Sequence, residues 1–384
     1  MGLRFAKPRS LLILTSLATL PLLRIAGTSS RASSRAGMVT EIAHMQIARA
    51  DHSSTLLSNG KVLIAGGFGG SGTESNPFRS TELYNPKTGT FESAADMSVG
   101  RSGHTATLLR NGKVLIVGGW TGRYNLRRSA ELYDPATGKF AATGDLVIER
   151  ADNTATLLDD GRVLVTGGVN REENALGSAE IYDPTTGKFN LTGSMKEPRG
   201  AHTATVLKNG KVLIVGGGSG HYPSKNVYRS AELYDPMSGK FSFTGEMATG
   251  RHKHAAILLP SGRVLVLGGS DNRDWRGEYS SAEIYDPSSG TFGMTSSMGM
   301  PRFKIPAAVA LLLDGKVLVA GGGKVAELYD ESDTSFTKVE GNLDAARFFA
   351  SATVLPGGEA LITGGYADID GGLPSTSKAW IYKP

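Results

Sequence analysis

The sequence predicts an all-β, seven-bladed β-propeller of four-stranded antiparallel blades. Three observations lead there. A Gly-Gly pair ends an apolar run seven times, at Gly66-Gly67, Gly118-Gly119, Gly167-Gly168, Gly216-Gly217, Gly268-Gly269, Gly321-Gly322 and Gly364-Gly365, at intervals of 43–53 residues. Each unit has one grammar: an Arg, an alternating run such as "TATLL", a turn, "KVLIVGG", a variable stretch, then "SAELYDP" and "ATGKF". No 3.6-residue apolar period appears beyond the first residues, which leaves four strands per unit of about 50 residues, the size of a propeller blade.

The first strand pair is a hairpin. Asn59-Gly60, Asn111-Gly112, Asp160-Gly161 and Asn209-Gly210 stand between its strands. Such pairs tolerate positive φ, and the spacing predicts type I′ turns. "KVLIVGG" reads as a buried second strand, whose terminal glycines admit a close neighbouring backbone. "AELYDP" is a third strand, ended by a proline that cannot donate to the ladder, and "TGKF" turns into a fourth.

Closure follows from a spacing. A Met or Leu precedes each opening Arg by four positions, as in Met97/Arg101 and Leu146/Arg150, and the first Arg repeats this as Met45/Arg49. No earlier blade owns Met45, while the last unit stops at "AWIYKP", one strand short. Residues 38–45 are therefore expected to supply the outer strand of the last blade, so that the propeller spans 38–384.

Residues 1–36 read as an export signal, with basic Arg4, Lys7 and Arg9 before the apolar "LLILTSLATLPLL". Thirteen residues broken by Pro21 are short of the ~20 that span a bilayer, so cleavage, no stable membrane span and a secreted or periplasmic protein are expected. The leader carries six of the 41 basic residues and none of the 36 acidic ones, leaving a formal charge of −1 on the remainder. Nucleic-acid binding rests on a basic excess that is missing here. The chain has no cysteine, which excludes disulfides, thiolate metal sites and a cysteine nucleophile.

The Gly-Gly, Glu-Leu-Tyr-Asp-Pro and aromatic pattern resembles kelch repeats, specifically those of exported bacterial proteins similar to the galactose-oxidase propeller. The resemblance covers residues 38 to 384. The fourth-strand aromatic is Phe (Phe91, Phe140, Phe189, Phe241, Phe292, Phe336) where kelch repeats usually carry Trp. Blade six reads "YDESDTSF", and blade seven has Trp380 in place of the third-strand Glu. The copper oxidases of this propeller type use a Tyr–Cys cross-link, which a chain without cysteine cannot form. Neither a metal nor another cofactor is expected.

Frame and function separate by face. The uniform turns share one face, and the variable second-to-third loops share the other with the blade-to-blade links. Those loops carry Trp120, Arg123, Tyr124, His221, Tyr222, Arg273, Trp275 and Tyr366, aromatics beside polar groups that suit stacking on sugars or anchoring a protein. Blade six contributes only "GK", which predicts a notch in the rim. His52, His104, His202 and His254 fall at the start of the innermost strand, replaced by Asn153, Ile305 and Ala350 elsewhere. They join the candidate ligand-binding set, but one per blade they are too dispersed for one ion, and hydrogen bonding is their expected role. Arg49, Arg101, Arg150, Arg199, Arg251, Arg302 and Arg347, with Glu82, Glu131, Glu180, Glu232, Glu283 and Glu327, recur around the ring and are read as structural pairs at blade interfaces.

The expected function is recognition of a glycan or protein by a monomeric, exported propeller. The alternative is a carbohydrate-active enzyme of mutarotase or lyase type. Catalysis would require one off-symmetry polar cluster with a shifted pKa, whereas recognition would show a broad, aromatic-studded rim.

Overall fold

The computed structural model describes residues 36–70, 76–122, 125–220, 225–369 and 372–384. The leader expected over 1–36 lies outside them except for Ala36. Among the described residues no helix is long and apolar enough to cross a membrane.

Seven antiparallel sheets follow the chain. Blade one is Ser53–Leu56, Val62–Ala65, Thr81–Asn85 and Thr90–Ser93, and blades two to six repeat that order from the inside outward. The last blade takes Ser351–Val354, Ala360–Thr363 and Ala379–Lys383 from the C-terminal end. Met38–Glu41 pairs antiparallel with Ala379–Lys383 as its fourth strand. A fifth, Glu340–Gly341, lies parallel against Met38–Glu41 and covers the edge that closure would otherwise leave bare.

Second strands are buried along their whole length because a neighbouring blade covers each face. Their continuous apolar runs record this two-sided burial. The core accordingly lies between blades: Leu63 and Ala65 of blade one pack with Val114, Ile116 and Tyr133 of blade two. Tyr hydroxyls bolt neighbouring blades further, Tyr182 to Thr143 at 2.9 Å and Tyr234 to Thr192 at 3.0 Å.

The hairpin turns correct one expectation. Only the glycine is left-handed (Gly112, φ +80°), and Asn111 stays at negative φ, so the turn is not type I′. Leu109 and Lys113 close a longer loop through Leu109 N–H to the Lys113 carbonyl, 2.8 Å. Asn is chosen for a different reason: its Oδ1 accepts the Lys113 amide at 3.1 Å, an Asx turn. At the other end of the strand, a Cβ on Gly119 would come within 2.7 Å of both the Ser102 carbonyl and the His104 Cβ, so no side chain fits.

Candidate functional site at the channel mouth

The site is built by one repeated chain path. Each opening Arg is buried and, instead of pairing at a blade interface as expected, ties its own blade together: Arg150 donates to the Gly167 carbonyl at 2.7 Å and to Glu180 at 2.7 Å. Glu180 also accepts the amides of Val147 and Ile148, which belong to the link entering the blade. Corresponding Arg–Glu contacts are 2.9 Å at Arg49–Glu82, 3.6 Å at Arg101–Glu131, 3.2 Å at Arg199–Glu232, 2.9 Å at Arg251–Glu283 and 2.6 Å at Arg302–Glu327. In the last blade, where Trp380 replaces Glu, Arg347 turns to Asp344 at 2.7 Å.

Two residues beyond each Arg the backbone becomes left-handed. Asp51, Gly103, Asp152, Ala201, Lys253, Lys304 and Phe349 all have φ between +51° and +57°. Their backbones form a closed hydrogen-bonded ring. Asp51 donates to Phe349, Gly103 to Asp51, Asp152 to Gly103, Ala201 to Asp152, Lys253 to Ala201 and Phe349 to Lys304, over 2.8–3.3 Å. The step onto Lys253 from blade six is made by Ile305 N–H at 3.3 Å. Left-handed geometry is costly for six non-glycine residues, and the cyclic ladder holds it in place. The backbone is the same seven times and the side chains differ almost every time.

One sector of this ring is polar and aromatic. Lys304 Nζ donates to the Tyr366 hydroxyl at 2.8 Å and lies 3.6 Å from Asp274 Oδ2. It sits 4.1 Å from the centroid of Trp275 and 4.8 Å from that of Phe303. Burial, with Lys253 nearby, lowers its ammonium to about 8 although Asp274 opposes this. Asp274 is buried at 3% exposure and receives Lys253 Nζ at 3.0 Å. Burial raises its carboxyl, but Lys253 and Lys304 outweigh that and hold it below the ordinary range. His252 Nε2 is 3.7 Å from the same carboxylate, its pKa depressed to about 4 mainly by burial. Across the ring, burial and then Asp152 drive the Asp51 carboxyl well above its usual range.

The structure brings together Trp275 and Tyr366, ring centroids 6.4 Å apart. The notch expected at blade six is bridged here, since Trp275 from the blade-five loop also packs edge-on against Phe303 and Phe348 at 4.8 Å. Other candidates lie elsewhere. Trp120 packs with Leu126, Ala151 and Val169 between blades two and three. Arg273 is exposed and bonded within its loop to Asp271. Arg123, Tyr124, His221 and Tyr222 lie outside the described residues.

The four histidines stand one residue beyond the ring and bridge blades. Their Nε2 atoms meet hydroxyls of the preceding blade: His52 with Thr363 at 2.9 Å, His104 with Ser53 at 2.9 Å, His202 with Thr166 at 3.1 Å and His254 with Thr203 at 3.0 Å. Burial, then the neighbouring arginines, depress His52, His104 and His202 to about 3, and the same causes hold His254 well below the ordinary imidazole range.

Sequence reasoning missed Lys304, Asp274, Lys253, His252, Asp51, Asp152, Phe303, Phe348 and Phe349. A signal was present: the dipeptides after the opening arginines read AD, SG, AD, GA, HK, FK and FF. On the opposite face, two solvent-open grooves are built from turn residues such as Arg110, Asp160 and Arg162, and belong to the repeated frame.

Comparison with known proteins agrees with this architecture. The family described as the KLHDC2/KLHL20/DRC7 Kelch-repeats domain matches residues 103–322, and the Kelch motif matches residues 50–98. No curated protein sequence matches the chain. Among solved structures, a fungal alcohol oxidase of the AA5 family, in complex with copper, superposes with a TM-score of 0.70 at 18% identity, covering 91% of this chain and 77% of that one. That likeness extends to the fold. This chain lacks cysteine, and among the described residues no three His, Asp or Glu side chains are grouped to hold a metal ion. The donor set does not fit a copper-radical site.

Proposed function

Because the chain belongs to the kelch-repeat family, we propose that it is an exported recognition module that binds a glycan or a protein through its variable-loop face. The observation that supports this is the ring of left-handed residues. Seven equivalent backbones present Asp, Gly, Asp, Ala, Lys, Lys and Phe to one mouth, whereas the opposite face repeats the same turns. A fixed scaffold bearing varied side chains is the arrangement recognition needs, and its preorganised backbone lowers the entropic cost of binding. The leader motivates a secreted or periplasmic location.

A glycan array probed with the exported chain, with a panel of candidate surface proteins alongside, tests the reading. Arg273→Ala, exposed on the variable-loop face, should weaken any captured ligand at least tenfold. Arg110→Ala, on the turn face, should leave it unchanged. Loss with Arg110→Ala alone, or no ligand in either format, would sink the proposal.

One observation favours the alternative of a carbohydrate-active enzyme of mutarotase or lyase type. The Lys304, Tyr366 and Asp274 cluster is off-symmetry, and its amine titrates lower than usual. Turnover assays on any sugar found by the array separate the two readings.

A further inference from the structure

We infer that Lys304 is a nucleophilic amine that condenses with a small aldehyde or ketone entering the channel mouth, with Tyr366 as its proton-relay partner. This reaches beyond recognition and does not depend on which ligand the loops bind.

The placement has the parts such chemistry needs. A lysine becomes a nucleophile when an apolar pocket and a second cation favour its neutral form. Lys304 is 7% exposed, with Trp275, Phe303, Phe349 and Tyr366 around its amine at 4.1–5.9 Å. Lys253 supplies the second cation, sharing Asp274 with Lys304. Glu278, whose carboxyl burial raises, Asp51, whose carboxyl burial and Asp152 raise, and His252 also act on Lys304 or on its partner carboxylate. With a pKa of about 8, roughly one amine in ten is neutral at pH 7, against about one in 2,500 for an ordinary lysine.

Tyr366 completes the arrangement. Its hydroxyl touches the amine at 2.8 Å, and burial keeps the phenol protonated. In the proposed step the amine lone pair adds to the carbonyl carbon while the oxygen takes a proton through the Tyr366 hydroxyl. The carbinolamine then loses that oxygen as water, both amine protons having passed to it. A C=N bond replaces the C=O bond and no oxidant or reductant is consumed. The polar Asp274, Lys253 and His252 beside the amine suit small carbonyl compounds bearing hydroxyls.

The test is reductive trapping of the full chain with glycolaldehyde and cyanoborohydride, followed by peptide mass mapping. Lys304 should label at least tenfold faster than exposed Lys87 and Lys338. Its rate should level off above about pH 8, while theirs climbs toward pH 10. Tyr366→Phe should slow labelling at Lys304 alone, and Lys304→Arg should abolish the fast phase. If Lys304 labels no faster than Lys87, the amine is a fixed structural cation and the proposal falls. An unchanged rate in Tyr366→Phe removes the relay. Neither result bears on glycan or protein capture by the rim.

Discussion

The Lys304 ammonium and the Tyr366 hydroxyl meet at 2.8 Å although 62 residues separate them. Lys304 opens blade six, and Tyr366 begins the loop of blade seven. Trp275, from the loop of blade five, covers both. Three blades are therefore joined at the mouth through one amine, and Asp274 supplies the charge that keeps it there.

Removing that charge should be costly. Asp274→Asn leaves Lys253 and Lys304 close together without a carboxylate, and a broken buried pair costs about 3–5 kcal/mol. Urea denaturation should show a loss near that size. A loss below about 1 kcal/mol would mean that water already reaches the cluster.

The arginine pairs offer an internal control. Glu180 and Arg150 are fully buried, so Glu180→Gln should destabilise by about 3–5 kcal/mol. Asp344, the partner of Arg347, is 29% exposed, so water can partly replace its carboxylate, and Asp344→Asn should cost less than Glu180→Gln. Equal losses would contradict the role of desolvation.

The interblade histidines make the ring sensitive to acid. Their folded pKa values, about 3 for His52, His104 and His202, lie below the unfolded value near 6.5. Between these limits the unfolded chain binds more protons. Stability is therefore complete above about pH 6.5 and falls as pH drops toward 3. Each ring contributes up to about 1.4 kcal/mol per pH unit. His104→Asn, which copies Asn153 of blade three, should lose about 2 kcal/mol less than the parent between pH 7.5 and 5. Identical acid sensitivity would argue that His104 is already solvated.

The closing strand carries a separate prediction. Val39 and Met45 are 4% and 3% exposed, and Met38–Glu41 holds the last blade at its outer edge. Deleting 38–45 removes the ladder and about 2–3 kcal/mol of burial for each of those two side chains. Thermal melting should shift down by many degrees, and the bared edge should promote association. A deletion variant that melts like the full chain would refute closure by this segment.

Much of this was legible in order along the chain. The seven Gly-Gly pairs mark the blades, and the Met45/Arg49 spacing locates the closing strand. Trp275 and Tyr366 were picked out as loop aromatics. The turn type was misjudged, because Asn111-Gly112 suits either loop and the Lys113 pairing selects the longer one. Lys304 carries no such mark, because in sequence a lone lysine after a repeated arginine resembles any solvated charge.

The sequence by itself determined the blade count, the strand order, the antiparallel hairpins and the closure, since each is a periodic pattern read between near neighbours. Only the tertiary structure decided that Lys304 sits among Trp275, Asp274 and Tyr366. Those residues come from three consecutive blades, and what brings them together is the packing of neighbouring sheets. The ladder of left-handed residues at the mouth holds them there, and no single repeat contains either that ladder or that packing.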